Sequence, residues 1–263
     1  MLLTWLSRRL AAYLSKQIKC HSVRTSTWEA IQVSIKPGDV LLVEGNTRIG
    51  TAIKYLTQST WSHAALYLGP DANLGGTEHG EENVLVEADL EEGIRSLPLS
   101  FYRHFHTRIC RPVGLSEQDI SKLIDYSKSR LGHQYDLKNV WDLARYLCPT
   151  PPVPTRYRRS MLALGSGDPT RAICSTFIAE GFQSIRYPIL PERLAESDDN
   201  PDSEAQRQEY FRIRHHSLFA PRDFDASPYF DVIKPTLEQG FDYRQFQWAE
   251  LAFRTRPSQG VSA

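Results

Sequence analysis

Two side chains able to do nucleophilic chemistry stand out, a cysteine at 174 and a histidine at 63. Cys174 follows the turn Gly165-Ser166-Gly167-Asp168-Pro169-Thr170, and Ile173, Phe177, Ile178 and Phe182 recur as the buried stripe of a helix. That places the sulfur just inside a helix N-terminus, where unpaired N–H groups and the helix dipole favour the thiolate, the form that attacks. Free amides at that end can also hold an oxyanion. The bland alternative is a buried structural cysteine, the commoner fate of a lone Cys. His63 belongs to Ser62-His63-Ala64-Ala65-Leu66-Tyr67-Leu68-Gly69, read as a strand that ends at Gly69-Pro70. It is either the base that takes the cysteine proton or a satisfied core histidine.

Period-two geometry puts His63, Ala65 and Tyr67 on one face of that strand and Ala64, Leu66 and Leu68 on the other. Residues 83–89 form the next strand candidate, with Leu85, Glu87 and Asp89 sharing a face. If the two strands pair in register, Glu87 can hydrogen-bond the imidazole and fix its orientation, as the third member of a triad does. Asp89 competes for that role, and a surface carboxylate on an edge strand is the plain alternative. Tyr135, after Gly132-His133-Gln134, offers a phenol that can donate to an oxyanion, or simply packs. Arg156, Arg158, Arg159 and Arg171 make a basic approach to Cys174, suited to a substrate carboxylate or phosphate, or else a solvated loop. Arg171, Ser62 and Ser175 are the candidate substrate-binding residues.

The elements that must position these groups follow from pattern. Lys36-Pro37-Gly38-Asp39 is a turn that launches the buried strand Val40-Leu41-Leu42-Val43. Residues 46–58 carry helical spacing, residues 71–82 read as an exposed loop, and further strands are expected around 93–97 and 107–113. Ser116 caps a helix that stops at Gly132. A second helix runs through Val140, Leu143 and Leu147 until Pro149 to Pro154 break it. After Pro191 the chain turns polar up to Tyr210-Phe211, and the aromatics of residues 217–250 argue for a packed tail. Strands in the middle with helices around them give an α+β class. The expected organisation is a helical leader over 1–35, a catalytic domain over 36–195 and a packed C-terminal extension over 196–263.

The 263 residues carry 31 basic and 31 acidic side chains, a balance that gives no general reason to expect nucleic acid. The four cysteines form no CxxC pair and no disulfide framework, which suits a reducing, cytoplasmic compartment. His104, His106, Cys110 and His133 match no standard zinc spacing, so no metal is expected. No segment is apolar enough to span a bilayer. Leu2, Leu3, Leu6, Leu10, Tyr13 and Leu14 recur at helical spacing with Arg8, Arg9 and Lys16 between them. Charge that interrupts the apolar run excludes a signal peptide. The helix either lies on a membrane surface, through residues 1–19, or packs on its own domain or a partner.

Taken in order, five motifs carry a resemblance. They are the Gly38-Asp39 strand start, Trp61-Ser62-His63-Ala64-Ala65, Val86-Glu87-Ala88, Gly132-His133-Gln134-Tyr135-Asp136, and Ala172-Ile173-Cys174-Ser175-Thr176-Phe177-Ile178. This series resembles the circularly permuted, papain-like branch of the NlpC cysteine-peptidase superfamily, the YiiX/YebB-like proteins, over about residues 36–195. The tail around Phe219–Phe224 and Ser227–Phe230 resembles bacterial members. In the permuted branch the His strand precedes the Cys helix, as His63 precedes Cys174 here.

The resemblance implies a permuted papain-like (NlpC-type) fold, a central antiparallel sheet packed against helices that include the nucleophile helix. It implies Cys174 as nucleophile, His63 as base, Glu87 as its orienting partner, Tyr135 lining the site, and no cofactor. The expected activity is that of a cysteine hydrolase, an amidase or peptidase cleaving an amide of a small peptide-like or cell-wall-derived substrate through an acyl-enzyme. Two alternatives stand beside it. One is a lipid-directed thiol esterase or acyltransferase at a membrane surface, similar to the lecithin:retinol acyltransferase relatives. The other is a catalytically inactive binding module.

Overall fold

The structure is a computed structural model that describes residues 9, 12–18, 24–75, 77–78, 80–134, 173–193, 211–212, 214–240, 242 and 244. Ten strands fall among them: β1 (Val40–Val43), β2 (His63–Tyr67), β3 (Thr77–Glu78), β4 (Glu81–Glu82), β5 (Leu85–Asp89), β6 (Gly93–Leu97), β7 (Thr107–Pro112), β8 (Glu192–Arg193), β9 (Phe211–Arg212) and β10 (Phe230–Ile233). The helices are α1 (Trp28–Ser34), α2 (Arg48–Thr57), α3 (Glu117–Arg130), α4 (Ile173–Ser184), α5 (Pro221–Asp225) and α6 (Pro235–Glu238). Six strands form one antiparallel sheet in the order β10-β7-β1-β2-β5-β6. Helices cover both its faces, so the fold is α+β.

Because helices lie on both sides, the central strand cannot alternate, and all four residues of β1 are buried. One face sends Val40, Leu42, Ala64, Leu66 and Val86 against Phe177, Ile178 and Phe182 of α4. The other sends Leu41, Val43, Ala65, Leu85 and Leu97 against Ile31, Ile35 and Tyr102. Helix α4, which carries Cys174, therefore packs on one face, while His63 and Glu87 belong to strand positions that alternate toward the other.

Several segments differ from the sequence reading. Residues 15–18 are not helical: Gln17 bridges Thr47, and the Ile18 N–H donates to the Asn46 carbonyl, so partner backbone there replaces helical bonds. Leu14 beside them is fully buried. The expected loop at 71–82 contains the β3–β4 hairpin. The expected polar loop after Pro191 begins with β8, which pairs with β9 and draws the two ends of that stretch together. Tail residues 230–233 join the main sheet as edge strand β10 rather than merely packing on it. The helix expected through Val140, Leu143 and Leu147 lies outside the described residues.

Candidate active site

Cys174 is the second residue of α4 and His63 the first of β2. The His63 imidazole and the Ala64 backbone N–H both bear on the sulfur and favour its thiolate. On the far side of the ring, His63 Nε2 lies 2.7 Å from Glu87 Oε2. Nε2 is thus engaged with the carboxylate, and Nδ1 is the nitrogen left to face the thiol. His63 keeps 24% of its side chain exposed while Glu87 keeps 1%, so solvent or a substrate can meet the ring but not its partner.

Register explains the pairing. Leu66 faces Val86 and Tyr67 faces Leu85 across β2 and β5, which puts His63 and Glu87 on one face at the same end of the sheet. Across the next ladder Glu87 faces Arg95. Arg95 donates from Nε at 2.9 Å and from Nη2 at 2.7 Å to Glu87 Oε1. The Tyr102 hydroxyl, from the short 3₁₀ turn Leu99–Tyr102, donates to Oε2. Asp89, the competing carboxylate, instead accepts from the N–H groups of Glu91 and Glu92 in the turn that follows it.

These contacts set the protonation states. Burial pushes the Cys174 thiol up, but the His63 charge and hydrogen bond, the Ala64 N–H and the Ser175 hydroxyl outweigh it and hold the thiol below its ordinary value. Burial alone would lower His63; Cys174 and Glu87 together carry it well above the ordinary imidazole value. Burial would raise Glu87, yet His63, Arg95 and Tyr102 bring it down to about 2. The three directions agree on a thiolate–imidazolium pair over an ionised carboxylate.

A cavity of about 220 Å³ opens onto this trio. Ile49, Ile53, Leu90, Phe101 and Phe105 give it a largely apolar wall, and Ser15 and Gln17 of the N-terminal segment border it. Ser62 lines it as well, nearly buried, its hydroxyl accepting from the Gly45 N–H at 2.9 Å and so holding the loop into α2. Trp61 is pinned to the tail, with Nε1 donating to Asp225 at 3.1 Å while Arg108 donates to the same carboxylate at 2.6 Å. Ser175 is fully buried, its hydroxyl 4.0 Å from the Cys174 sulfur. Tyr135 and the basic residues Arg156, Arg158, Arg159 and Arg171 lie outside the described residues.

Cys174, His63 and Glu87 are therefore together. Sequence reasoning missed three groups that complete their surroundings. Arg95 had a signal, being the residue that faces Glu87 in a tight β5–β6 hairpin. Tyr102 and the Ala64 N–H had none, since a 3₁₀ turn and a backbone amide leave no periodic mark.

A strand histidine that precedes a helix cysteine, on an antiparallel sheet packed against helices, is the order of a permuted papain-like fold. Residues 34–151 match the model of the family described as permuted papain-like amidase enzyme, YaeF/YiiX, C92 family. His63 and Glu87 fall inside that stretch; Cys174 lies beyond it. Among solved structures, the metalloprotein yiiX from Escherichia coli O157:H7 is similar at 16% identity and a TM-score of 0.43, covering 76% of this chain and 96% of that one. No curated protein matches the chain. Among the described residues no three His, Cys, Asp or Glu side chains are grouped to hold a metal ion, and no helix is long and apolar enough to cross a membrane.

Proposed function

We propose that the protein hydrolyses an amide through an acyl-enzyme on Cys174, with His63 as base and Glu87 as the residue that orients it. The observation that carries this is the His63 ring itself, engaged by Cys174 on one side and by Glu87 at 2.7 Å on the other, at the mouth of a cavity.

The steps follow from the groups present. The thiolate attacks the carbonyl carbon, and the Cys174 backbone N–H is the proposed donor to the oxyanion that forms. The His63 imidazolium gives its proton to the leaving amine. Neutral His63 then takes a proton from water, which attacks the thioester and returns the thiolate. A small peptide-like or cell-wall-derived amide is the leading substrate class. Esters of apolar acyl groups are the second, favoured by the wall of Ile49, Ile53, Leu90, Phe101 and Phe105.

A panel of fluorogenic dipeptide amides and p-nitrophenyl esters of two to twelve acyl carbons tests both, with Cys174→Ala as control. Turnover of amides that vanishes in the control supports the first reading. Turnover confined to esters, rising with chain length, supports the second. Equal slow release by both proteins contradicts each.

A further inference from the structure

Glu87 is more heavily engaged than an orienting carboxylate requires. It is 1% exposed and meets three donors from three elements: His63 from β2, Arg95 from β6 and Tyr102 from the turn Leu99–Tyr102. The division between its oxygens is unequal. Oε1 belongs to Arg95 through two N–H groups, and Oε2 is shared by His63 and the Tyr102 hydroxyl. We propose that Arg95 and Tyr102 are positioning residues of the catalytic site, which clamp Glu87 in one rotamer and weaken its hold on the His63 proton. The inference rests on the Cys174–His63–Glu87 reading above and assigns its regulation.

The chemistry of the two half-reactions shows why such a clamp is useful. Attack and leaving-group protonation call for an imidazolium beside the thiolate. Deacylation calls for a neutral imidazole that can accept a proton from water. A buried carboxylate with His63 as its sole partner would favour the imidazolium strongly and slow the second half. Arg95 opposes this with a second positive charge on the same carboxylate, and Tyr102 opposes it by sharing the very oxygen that His63 uses. The resulting chain alternates in sign: Cys174 thiolate, His63 imidazolium, Glu87 carboxylate, Arg95 guanidinium.

Arg95 is itself held. Its guanidinium lies 3.0 Å from Glu92 and 3.9 Å from Asp89, and sits 5.3 Å from the Phe101 ring centroid. Those two acids soften its charge without removing it. Tyr102 stands edge-on to Phe101 and Phe105, which fixes its hydroxyl over Glu87. The groups facing Glu87 are thus His63, Arg95 and Tyr102, with Cys174 behind His63 and with Asp89 and Glu92 behind Arg95.

The sign of the effect is unambiguous. Deleting a positive charge makes every neighbouring group bind its proton more tightly. In Arg95→Met, the acid limb of Cys174 alkylation by iodoacetamide moves to higher pH. In a Cys174→Ala background the NMR-detected titration of His63 also moves to higher pH, by about one unit or more, a tenfold change in proton affinity. Tyr102→Phe moves both midpoints the same way by a smaller amount, and Arg95→Lys restores most of the wild-type behaviour. A residue that served the fold alone would lower the melting temperature and leave both midpoints where they were.

Should Arg95→Met fail to fold, Arg95→Gln and Tyr102→Phe carry the comparison, since each keeps much of the side chain while removing the charge or the hydroxyl that Glu87 meets. Unchanged midpoints in these folded charge- or hydroxyl-deleting variants overturn the clamp. The Cys174→Ala titration separates this from the reading beneath it. If wild-type Cys174 titrates as a free thiol while the His63 shift persists, the clamp stands and the nucleophile assignment falls. If the thiol is activated but neither midpoint moves, the reverse holds.

Discussion

His63 and Glu87 come from strands whose pairing fixes where each side chain points, and their 2.7 Å contact is a product of that register. A one-residue slip between β2 and β5 would turn Glu87 to the face covered by α4 and leave His63 without an orienting partner. The His63–Glu87 arrangement is therefore a property of the sheet as much as of the residues. The carboxylate itself is testable by Glu87→Gln, which keeps its shape and removes its charge. In a Cys174→Ala background the NMR-detected titration of His63 should move to lower pH, because the carboxylate that raises it is gone. An unmoved midpoint would reduce Glu87 to a packing role.

The same carboxylate links stability to acid. Its folded value of about 2 lies below its ordinary 4.5, so its contribution is fully present above about 4.5 and is lost as pH falls toward 2. The size is about 3 kcal/mol. Urea melts between pH 6 and pH 2.5 should show a decline that Glu87→Gln flattens. Parallel curves would place the acid sensitivity elsewhere.

Gly93 opens β6 with φ +78, and a Cβ there would come within 2.4 Å of the His133 carbonyl oxygen. That close approach lets the Ile94 N–H donate to the His133 carbonyl at 3.0 Å and the Gly132 N–H donate to the Ile94 carbonyl at 2.8 Å. Gly93→Ala should cost about 1–3 kcal/mol, combining the φ with the clash. Hydrogen exchange should report it as lost protection of the Ile94 and Gly132 amides. Retained protection would mean the backbone yields there without cost.

Leu14 is fully buried, and its neighbours Ser15 and Gln17 border the active-site cavity. Leu14→Ala should therefore cost about 2–5 kcal/mol and alter the rate at which bulky maleimides reach Cys174. Wild-type stability and labelling would show that residues 12–18 do not need this seat.

Ile49 stands half-buried on the cavity wall. Ile49→Trp should cut turnover of long-chain esters while sparing the acetyl ester, if acyl groups enter that wall. Equal loss across chain lengths would remove the cavity as the acyl site.

Much of this was written in the sequence, and the reasons are local. The period-two alternation of Ser62–Gly69 and Asn83–Asp89 already put His63 and Glu87 on matching faces, because strand geometry leaves two choices only. Cys174 at a helix start was legible from the Gly- and Pro-rich turn before Ile173. What alternation cannot carry is partner choice. Arg95 became Glu87's counter-charge through a hairpin register, Tyr102 through a 3₁₀ turn, and tail strand β10 through long-range pairing with β7. In the leader, residues 9, 12–14 and 28–34 are helical, whereas at 16–18 the Asn46–Arg48 backbone supplies the hydrogen bonds instead.

The central claim is that Cys174 and His63 act as one ionised pair, and the pH dependence of Cys174 alkylation in wild type and in His63→Ala tests it without any knowledge of the substrate. The account expects a thiolate that persists well below pH 8 in the wild type and disappears in the variant. A wild-type thiol that titrates near the free-cysteine value of about 8.5, or an identical profile in both proteins, would contradict it.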